Sequence, residues 1–115
     1  MRRGDLYWVD FDPVKGSEAN KTRPAVLVSN DAANRAATRN GRGVVTVVPI
    51  TSNVDRIYSF QVLLRADECG LPTDSKAQAE QLRAVAVHRL GARIGSLSPS
   101  TLAKLDAALR IHFGL

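Results

Sequence analysis

Cysteine and histidine are scarce in this sequence, which has one cysteine and two histidines in 115 residues. Cys69 therefore cannot form an internal disulfide, and no thiolate cluster is present for a zinc ion. The common phosphate-binding, hydrolase and metalloprotease motifs are absent, as is any repeated Asp/Glu cluster of the kind that holds two metal ions in nucleases. We expect a protein that uses neither a metal ion nor another cofactor.

Long apolar runs are also lacking. No stretch reaches about 18 apolar residues, the length that a membrane-spanning helix needs. The basic start Met1-Arg2-Arg3 leads into Gly4-Asp5 rather than into the apolar segment of an export signal. Because a single cysteine also suits a reducing compartment, we expect a cytoplasmic protein that does not associate with a membrane.

Positive charge is in excess. Sixteen Lys and Arg residues against eleven Asp and Glu residues give a formal charge of +5, which favours binding to a nucleic acid or to an acidic protein. At 115 residues, 44% of them hydrophobic, the chain can bury one small core. We therefore predict a single domain over residues 1–115.

Short strand-forming runs dominate the chain. Residues 5–11 and 44–50 are rich in aromatic and β-branched side chains, and residues 23–29 and 60–64 are short apolar runs typical of buried strands. After a loop over residues 66–74, residues 75–87 are expected to add one or two further strands. Pro49 should place the end of its run at a sheet edge or a bend, because proline cannot donate a ladder hydrogen bond.

Helix signals are fewer. A short helix or turn is predicted over residues 32–38, and a longer helix begins at Ser98 and Pro99 and ends at Gly114. Apolar residues recur at helical spacing in this second helix, at Leu102, Leu105, Leu109 and Phe113. A row of strands with one terminal helix predicts a mainly β fold, a small and partly open barrel with a C-terminal α-helix.

Arg23 stands where a polar loop runs into an apolar strand. Pro24 restricts Arg23 to an extended backbone, so the guanidinium should project from a fixed strand end. Arg23 is therefore a candidate for binding an anion. A surface ion pair with Asp12 or Glu18 is the alternative.

Thr51, Ser52 and Asn53 follow the strongest strand signal of the sequence, residues 44–50. Two hydroxyls and an amide at a strand end form a compact set of donors that can hold a phosphate. An ordinary polar strand end is the alternative interpretation.

Aromatic side chains are few, with one Trp, two Tyr and three Phe. Tyr7 and Trp8 lie in the first predicted strand, where they could stack on nucleobases. In a chain with so few aromatic residues, we expect them instead in the core or in the wall of a groove.

A cation, hydroxyls and scattered carboxylates suffice for one reaction, the attack of an RNA 2′-hydroxyl on its own neighbouring phosphate. The protein then has to align the nucleophile, stabilise the charge of the phosphorane and move two protons. Arg23 would stabilise charge, but with a pKa above about 12 it is a poor general base. An acid–base pair of His88 and His112 is the alternative, although His112 falls within the terminal helix.

Five blocks carry a resemblance to a known family. Residues 4–13 (GDLYWVDFDP), 16–18 (GSE), 23–28 (RPAVLV), 48–52 (VPITS) and 80–83 (EQLR) resemble the MazF/PemK toxin endoribonucleases in order and spacing. The resemblance implies an SH3-like barrel of the CcdB/PemK type with a C-terminal helix. It also implies a toxin of a type II toxin–antitoxin system that acts as a homodimer. Such a toxin cuts single-stranded RNA at short motifs without metal, leaving 2′,3′-cyclic phosphate and 5′-hydroxyl ends, and is neutralised by a cognate antitoxin with an acidic C-terminal segment.

The resemblance also assigns residues. The family's catalytic Arg and Thr match Arg23 and Thr51, and its mobile RNA-contacting loop matches residues 16–22. The predicted RNA-binding residues are Ser17, Glu18, Lys21, Thr22, Ser52, Asn53, Lys76, Gln78 and Glu80. Some relatives have Asp where this chain has Glu80, in a catalytic or structural role, and a solvated strand carboxylate is the alternative for Glu80.

Two other functions stay open from the sequence. One is a gyrase poison of the CcdB type, which shares the barrel and ends in Trp-Gly-Ile, whereas this chain ends in Phe113-Gly114-Leu115. The other is an RNA-binding barrel without catalysis. Incubation with long RNA separates the three functions, because only the nuclease yields discrete fragments.

Overall fold

The strands and helices begin and end close to the predicted positions. The computed structural model describes residues 1–11 and 21–115. Within them the strands are β1 (Asp5–Asp10), β2 (Thr22–Leu27), β3 (Val44–Thr51), β4 (Gln61–Leu64), β5 (Ser75–Gln78), β6 (Arg83–Ala86) and β7 (Leu90–Ser96). The helices are α1 (Asp31–Asn40), α2 (Ala66–Cys69) and α3 (Pro99–Phe113), and short 3₁₀ turns cover Ala79–Gln81 and Val87–Arg89.

The strands form an antiparallel sheet in the order β4-β5-β3-β2-β1-β7, with β6 paired to β3 off this path. β3 pairs with two different strands, β6 and β5, at different positions along its length. Its first half pairs with β6 from Val44 to Val47, and its end pairs with β5 at Ile50 and Thr51. Pro49 lies between these two pairings, opposite Ala25 of β2. β3 is an interior strand that continues to Thr51, so the sheet edge predicted as one alternative at Pro49 is wrong.

Both faces of the central strands are buried. On β2 and β3, one set of alternating residues packs toward α3 in a core cluster that contains Val26, Val48 and Leu105. The other set packs with Tyr7 and with Ala37 of α1 on the opposite face. Residues 25–28 are therefore continuously apolar because neither face meets solvent. Each fully buried Leu or Val side chain contributes about 1.5–3 kcal/mol to folding by leaving water.

The caps of the two long helices are those that the sequence predicts. The Asn30 side chain accepts a hydrogen bond of 2.8 Å from the Ala33 N–H at the start of α1. Ser98 accepts one of 3.2 Å from Thr101 at the start of α3, and Gly114 ends α3 with a φ of 72°. The apolar stripe of α3 is shorter than predicted, because Phe113 is 55% exposed. No helix in the described part of the chain is long and apolar enough to cross a membrane.

Two elements were missing from the prediction, α2 and β7. Residues 66–74 were expected to be a loop, but α2 begins this segment. Strand β7 was not recognised in the sequence, because its glycines and arginine weaken the apolar pattern. It nevertheless pairs with β1. A Cβ on Gly95 would come within 2.2 Å of the Cys69 carbonyl oxygen, so glycine here lets α2 approach β7. Gly95 thus marks a close contact between two elements.

Candidate active site

Arg23 is the second residue of β2, with an exposed side chain, two residues before the buried run begins at Ala25. On β1, Val9 lies opposite Arg23 and Trp8 lies opposite Pro24, so the backbone of Arg23 is held in the ladder. Among the described residues no carboxylate lies within ion-pair distance of the Arg23 guanidinium. The alternative ion pairs with Asp12 and Glu18 fall outside the described residues.

Thr51 ends β3 and is half-buried. Its Oγ1 accepts a hydrogen bond of 3.2 Å from the Asn53 N–H, and the Asn53 Oδ1 accepts one of 3.2 Å from the Asp55 N–H. A hydroxyl has one donor and two acceptor positions, so this turn leaves the Thr51 O–H proton available to a ligand.

The fold brings Arg23 and Thr51 together. Both line a cavity of about 400 Å³, which we call the Thr51 groove. Its walls are Trp8, Arg23, Pro24, Ile50, Thr51, Ser52, Leu71, Pro72, Thr73 and Ser75. Because β2 and β3 are neighbours in the sheet, residues far apart in sequence meet at one end of it. A permanent cation and a hydroxyl donor in one cavity can bind two oxygens of the same phosphate.

A second cavity of about 390 Å³, the Arg83 groove, shares Arg23 with the first. It is lined by Phe11, Lys21, Arg23, Pro49, Gln78, Gln81 and Arg83. The Arg83 guanidinium carbon lies 5.1 Å from the centre of the Phe11 ring, a cation–π contact. Three cations around one cavity make it suited to a polyanion. Arg23 is therefore at the boundary of two adjacent cavities.

The two grooves contain some of the predicted RNA-binding residues. Lys21 and Gln78 line the Arg83 groove, and Ser52 lines the Thr51 groove. Thr22 and Asn53 are exposed but line neither cavity. Ser17 and Glu18 lie outside the described residues. Sequence reasoning missed Phe11, Gln81 and Arg83; the cue for Arg83 was its place in the fifth block of the resemblance, directly after Gln81 and Leu82.

Lys76 and Glu80 line neither groove. The Lys76 side chain is 7% exposed, and its Nζ donates a hydrogen bond of 2.5 Å to the Arg56 carbonyl. Glu80 lies in the 3₁₀ turn Ala79–Gln81, where its Oε2 accepts a hydrogen bond of 2.9 Å from Gln61 and its buried Oε1 has no hydrogen bond to any residue that the structure describes. The interpretation of Glu80 as a solvated strand carboxylate is therefore wrong, because the turn directs it into the protein.

Tyr7 and Trp8, the two large aromatic residues of β1, point in opposite directions. Tyr7 is 9% exposed and belongs to the core, and burial, followed by the charge of Asp5, raises its pKa. Trp8 points the other way and forms part of the Thr51 groove wall. The expected locations, core or groove wall, are both confirmed.

Other candidate groups lie away from the grooves. His88 and His112 line neither cavity; His88 is in the turn Val87–Arg89 and His112 is near the end of α3. Cys69 is buried, and burial raises the pKa of its thiol, with Glu68 and Asp67 adding to the rise. A thiol held protonated in this way is a weak nucleophile. Within residues 1–11 and 21–115, no three His, Cys, Asp or Glu side chains cluster as a metal site requires.

Comparison with known proteins identifies the relatives of this chain. The family model of the PemK-like, MazF-like toxin of type II toxin-antitoxin systems matches residues 2–113. The chain is 59% identical over 115 residues to endoribonuclease MazF9 of Mycobacterium tuberculosis, covering 100% of this chain and 98% of the relative. It is 37% identical over 112 residues to the endoribonuclease toxin MazF of Escherichia coli, covering 96% of this chain and 92% of the relative.

A solved structure shows the same fold. An endoribonuclease in complex with its cognate antitoxin, from Mycobacterial species, has a TM-score of 0.79 over 100% of this chain and 96% of that chain, at 24% identity. The predicted mainly β fold with a C-terminal helix is confirmed. From the family model and the two relatives together, the chain belongs to the PemK-like, MazF-like family of type II toxins, as its five sequence blocks predict.

Proposed function

We propose that this chain is an endoribonuclease toxin that cleaves single-stranded RNA at short motifs without a metal ion. The observation that carries the proposal is the meeting of Arg23 and Thr51 in one cavity. Its two close relatives, each named an endoribonuclease, support the activity. Membership of the family, together with the three cations that line the Arg83 groove, favours this function over a gyrase poison and over an RNA-binding barrel without catalysis.

In the proposed reaction, the 2′-oxygen of one ribose forms a bond to the adjacent phosphorus while the bond from phosphorus to the 5′-oxygen breaks. The 2′-hydroxyl loses its proton to a base, and the departing 5′-oxygen gains a proton. The products are a 2′,3′-cyclic phosphate and a 5′-hydroxyl. No water is consumed in this step, since the nucleophile belongs to the substrate.

Arg23 and Thr51 have distinct tasks in this step. The phosphorane carries more negative charge than the starting phosphate, and the Arg23 guanidinium stabilises that charge with donors in a fixed planar arrangement. Thr51 donates its free O–H to a second phosphate oxygen and so fixes the orientation of the phosphorus. The hydrogen bond from Asn53 holds the Thr51 oxygen in place before the substrate arrives.

The other groove residues are proposed to bind the RNA on either side of the cleaved phosphate. Lys21 and Arg83 in the Arg83 groove would contact phosphates flanking the cut, and Ser52 would do so in the Thr51 groove. Thr22, Asn53, Ser17 and Glu18 remain proposed RNA contacts from the resemblance alone. Lys76 and Glu80 are proposed to act by holding the protein in shape, because both face inward.

The nature of the products tests this function. Cleavage of a long RNA should proceed in excess EDTA, because Arg23 and the 2′-hydroxyl leave no task for a metal ion. Primer extension should map discrete cuts, and the upstream fragments should resist a 3′-phosphatase until acid opens the cyclic phosphate. Loss of cleavage in EDTA that Mg²⁺ restores, or fragments with 5′-phosphate ends, would contradict the mechanism.

The antitoxin is proposed to occupy the same surface. A groove with Lys21, Arg23 and Arg83 that accepts a polyanion also accepts a peptide rich in Asp and Glu. The expected result is competitive inhibition: the acidic C-terminal peptide of the cognate antitoxin raises the KM for an oligoribonucleotide and leaves kcat nearly unchanged. Both ligands should bind more weakly as salt rises.

A peptide in which every Asp and Glu is replaced by Asn and Gln is the matched control, and it should inhibit far less. A lowered kcat with an unchanged KM, or peptide and RNA bound together at saturation, would place the antitoxin elsewhere.

We also propose, from the resemblance, that the protein is a cytoplasmic homodimer of single-domain chains. Analytical ultracentrifugation of the purified protein tests the homodimer.

A further inference from the structure

The segment between β3 and β4 carries an exposed column of a cation and two rings. The Arg56 guanidinium carbon lies 4.7 Å from the centre of the Tyr58 ring. The Tyr58 and Phe60 rings are stacked, with centres 5.3 Å apart and an angle of 8° between their planes. Tyr58 is 42% exposed, so the column is open to solvent rather than part of the core.

Buried polar side chains hold the backbone of this column. Lys76 Nζ donates to the Arg56 carbonyl, and the Gln61 side chain accepts a hydrogen bond of 3.2 Å from the Tyr58 N–H. Gln61 is itself fixed by Glu80, which accepts a hydrogen bond of 2.9 Å from its Nε2. Lys76 is 7% exposed and Gln61 9%. Burying a cation and an amide is costly unless they are bonded, so these bonds keep the loop in one conformation.

The column lies beside the candidate active site. Thr51 and Lys76 are directly opposite each other in the β3 and β5 ladder, and opposed side chains lie on the same face of a sheet. The Lys76 side chain reaches from that position to the Arg56 carbonyl. Lys76, the residue directly opposite Thr51, is therefore hydrogen-bonded to the backbone of the column.

We propose that Arg56, Tyr58 and Phe60 form a stacking site for a nucleobase of single-stranded RNA next to the scissile phosphate. The inference rests on the proposed RNA-cleaving function and adds a base-binding element to it. Exposed aromatic and guanidinium planes bind unpaired bases through stacking, which needs no particular base identity. Lys76, Gln61 and Glu80, which line neither groove, then share one task, which is to position this site.

The test uses a set of oligoribonucleotides that carry 2-aminopurine at successive positions, with a 2′-deoxy sugar at the mapped cut to prevent cleavage. Stacking quenches 2-aminopurine fluorescence, so wild-type protein should quench the probe at one position beside the cut. Tyr58→Ala should remove most of that quenching and raise the KM for cleavable RNA about 10-fold, with kcat changed less than about 2-fold. Tyr58→Phe keeps the ring and should behave as wild type.

Arg56→Ala provides a second variant, because it removes an exposed side chain and leaves both rings, and it should raise KM in the same direction by a smaller factor. Thermal unfolding of each variant checks the fold. Unchanged quenching and KM in both Tyr58→Ala and Arg56→Ala would overturn the stacking site. If the wild type cuts no RNA, the nuclease function fails by itself, and the quenching pattern still decides whether the column binds bases.

Discussion

Replacing Arg23 with alanine is expected to lower kcat/KM for RNA cleavage by about 10²–10³, the typical cost of losing one donor that stabilises developing charge. The side chain is exposed, and no carboxylate of the described residues pairs with it, so the free energy of unfolding should change by less than about 1 kcal/mol. Cleavage of a mapped oligoribonucleotide and a denaturant titration measure the two quantities.

Arg39→Ala is the matched control for charge. Arg39 is exposed on α1 and lines neither groove, so this variant loses the same charge and should keep its activity. If Arg23→Ala turned over RNA at the rate of Arg39→Ala, the guanidinium would be only a surface cation and the site assignment would fail.

Replacing Thr51 with valine tests the second residue of the proposed catalytic pair. Valine keeps the β-branched shape at the end of β3 but removes the hydroxyl, and we again expect a loss of about 10²–10³ in kcat/KM with little change in fold. Thr46→Val changes the same atoms in the same strand outside both grooves and should cleave normally. Equal rates for the two threonine variants would contradict the role of Thr51.

A 2′-deoxy sugar on the upstream side of the cut is expected to abolish cleavage at that position. The 2′-oxygen is the proposed nucleophile, and no protein group replaces it. Binding should be nearly unchanged, because the contacts proposed for Arg23, Lys21 and Arg83, which line the Arg83 groove, are made to phosphates, and a deoxynucleotide retains them. Gel analysis of the modified oligonucleotide measures cleavage, and its competition against a labelled all-RNA strand measures binding.

A deoxy sugar one nucleotide further along serves as the control and should leave cleavage intact. Cutting at the modified linkage itself would show that water or a protein group attacks the phosphorus, and the proposed chemistry would then be wrong.

Local patterns were enough to predict the parts of the fold that depend on short stretches of sequence. The caps Asn30 and Ser98 and the apolar run at residues 25–28 each specify their element without help from distant residues. Strand β7 could not be predicted in this way, because its stability comes from pairing with β1 and from the contact of Gly95 with Cys69. Such contacts depend on the completed fold.

The candidate site also contains some residues that the local sequence predicts and others that it does not. Arg23 and Thr51 were predicted because Arg23 lies at the start and Thr51 at the end of a recognisable strand, and family resemblance supplied their roles. The direction of Lys76 and Glu80 could not be predicted, because a 3₁₀ turn interrupts the expected strand and their partners, Arg56 and Gln61, lie far away in the sequence. Arg83 and Phe11 meet only because β6 and β1 flank one groove.

The position of Arg23 between two cavities also bears on the form of RNA that the protein can accept. Arg23 lines both cavities, so we expect an RNA strand whose phosphate it holds to follow a path through the two of them. An unpaired strand can take such a path, whereas an A-form duplex keeps its bases paired and its backbone regular. Folding of a transcript into hairpins would then shield its motifs from the toxin, and the sites exposed in a cell would be set by RNA structure as well as by sequence.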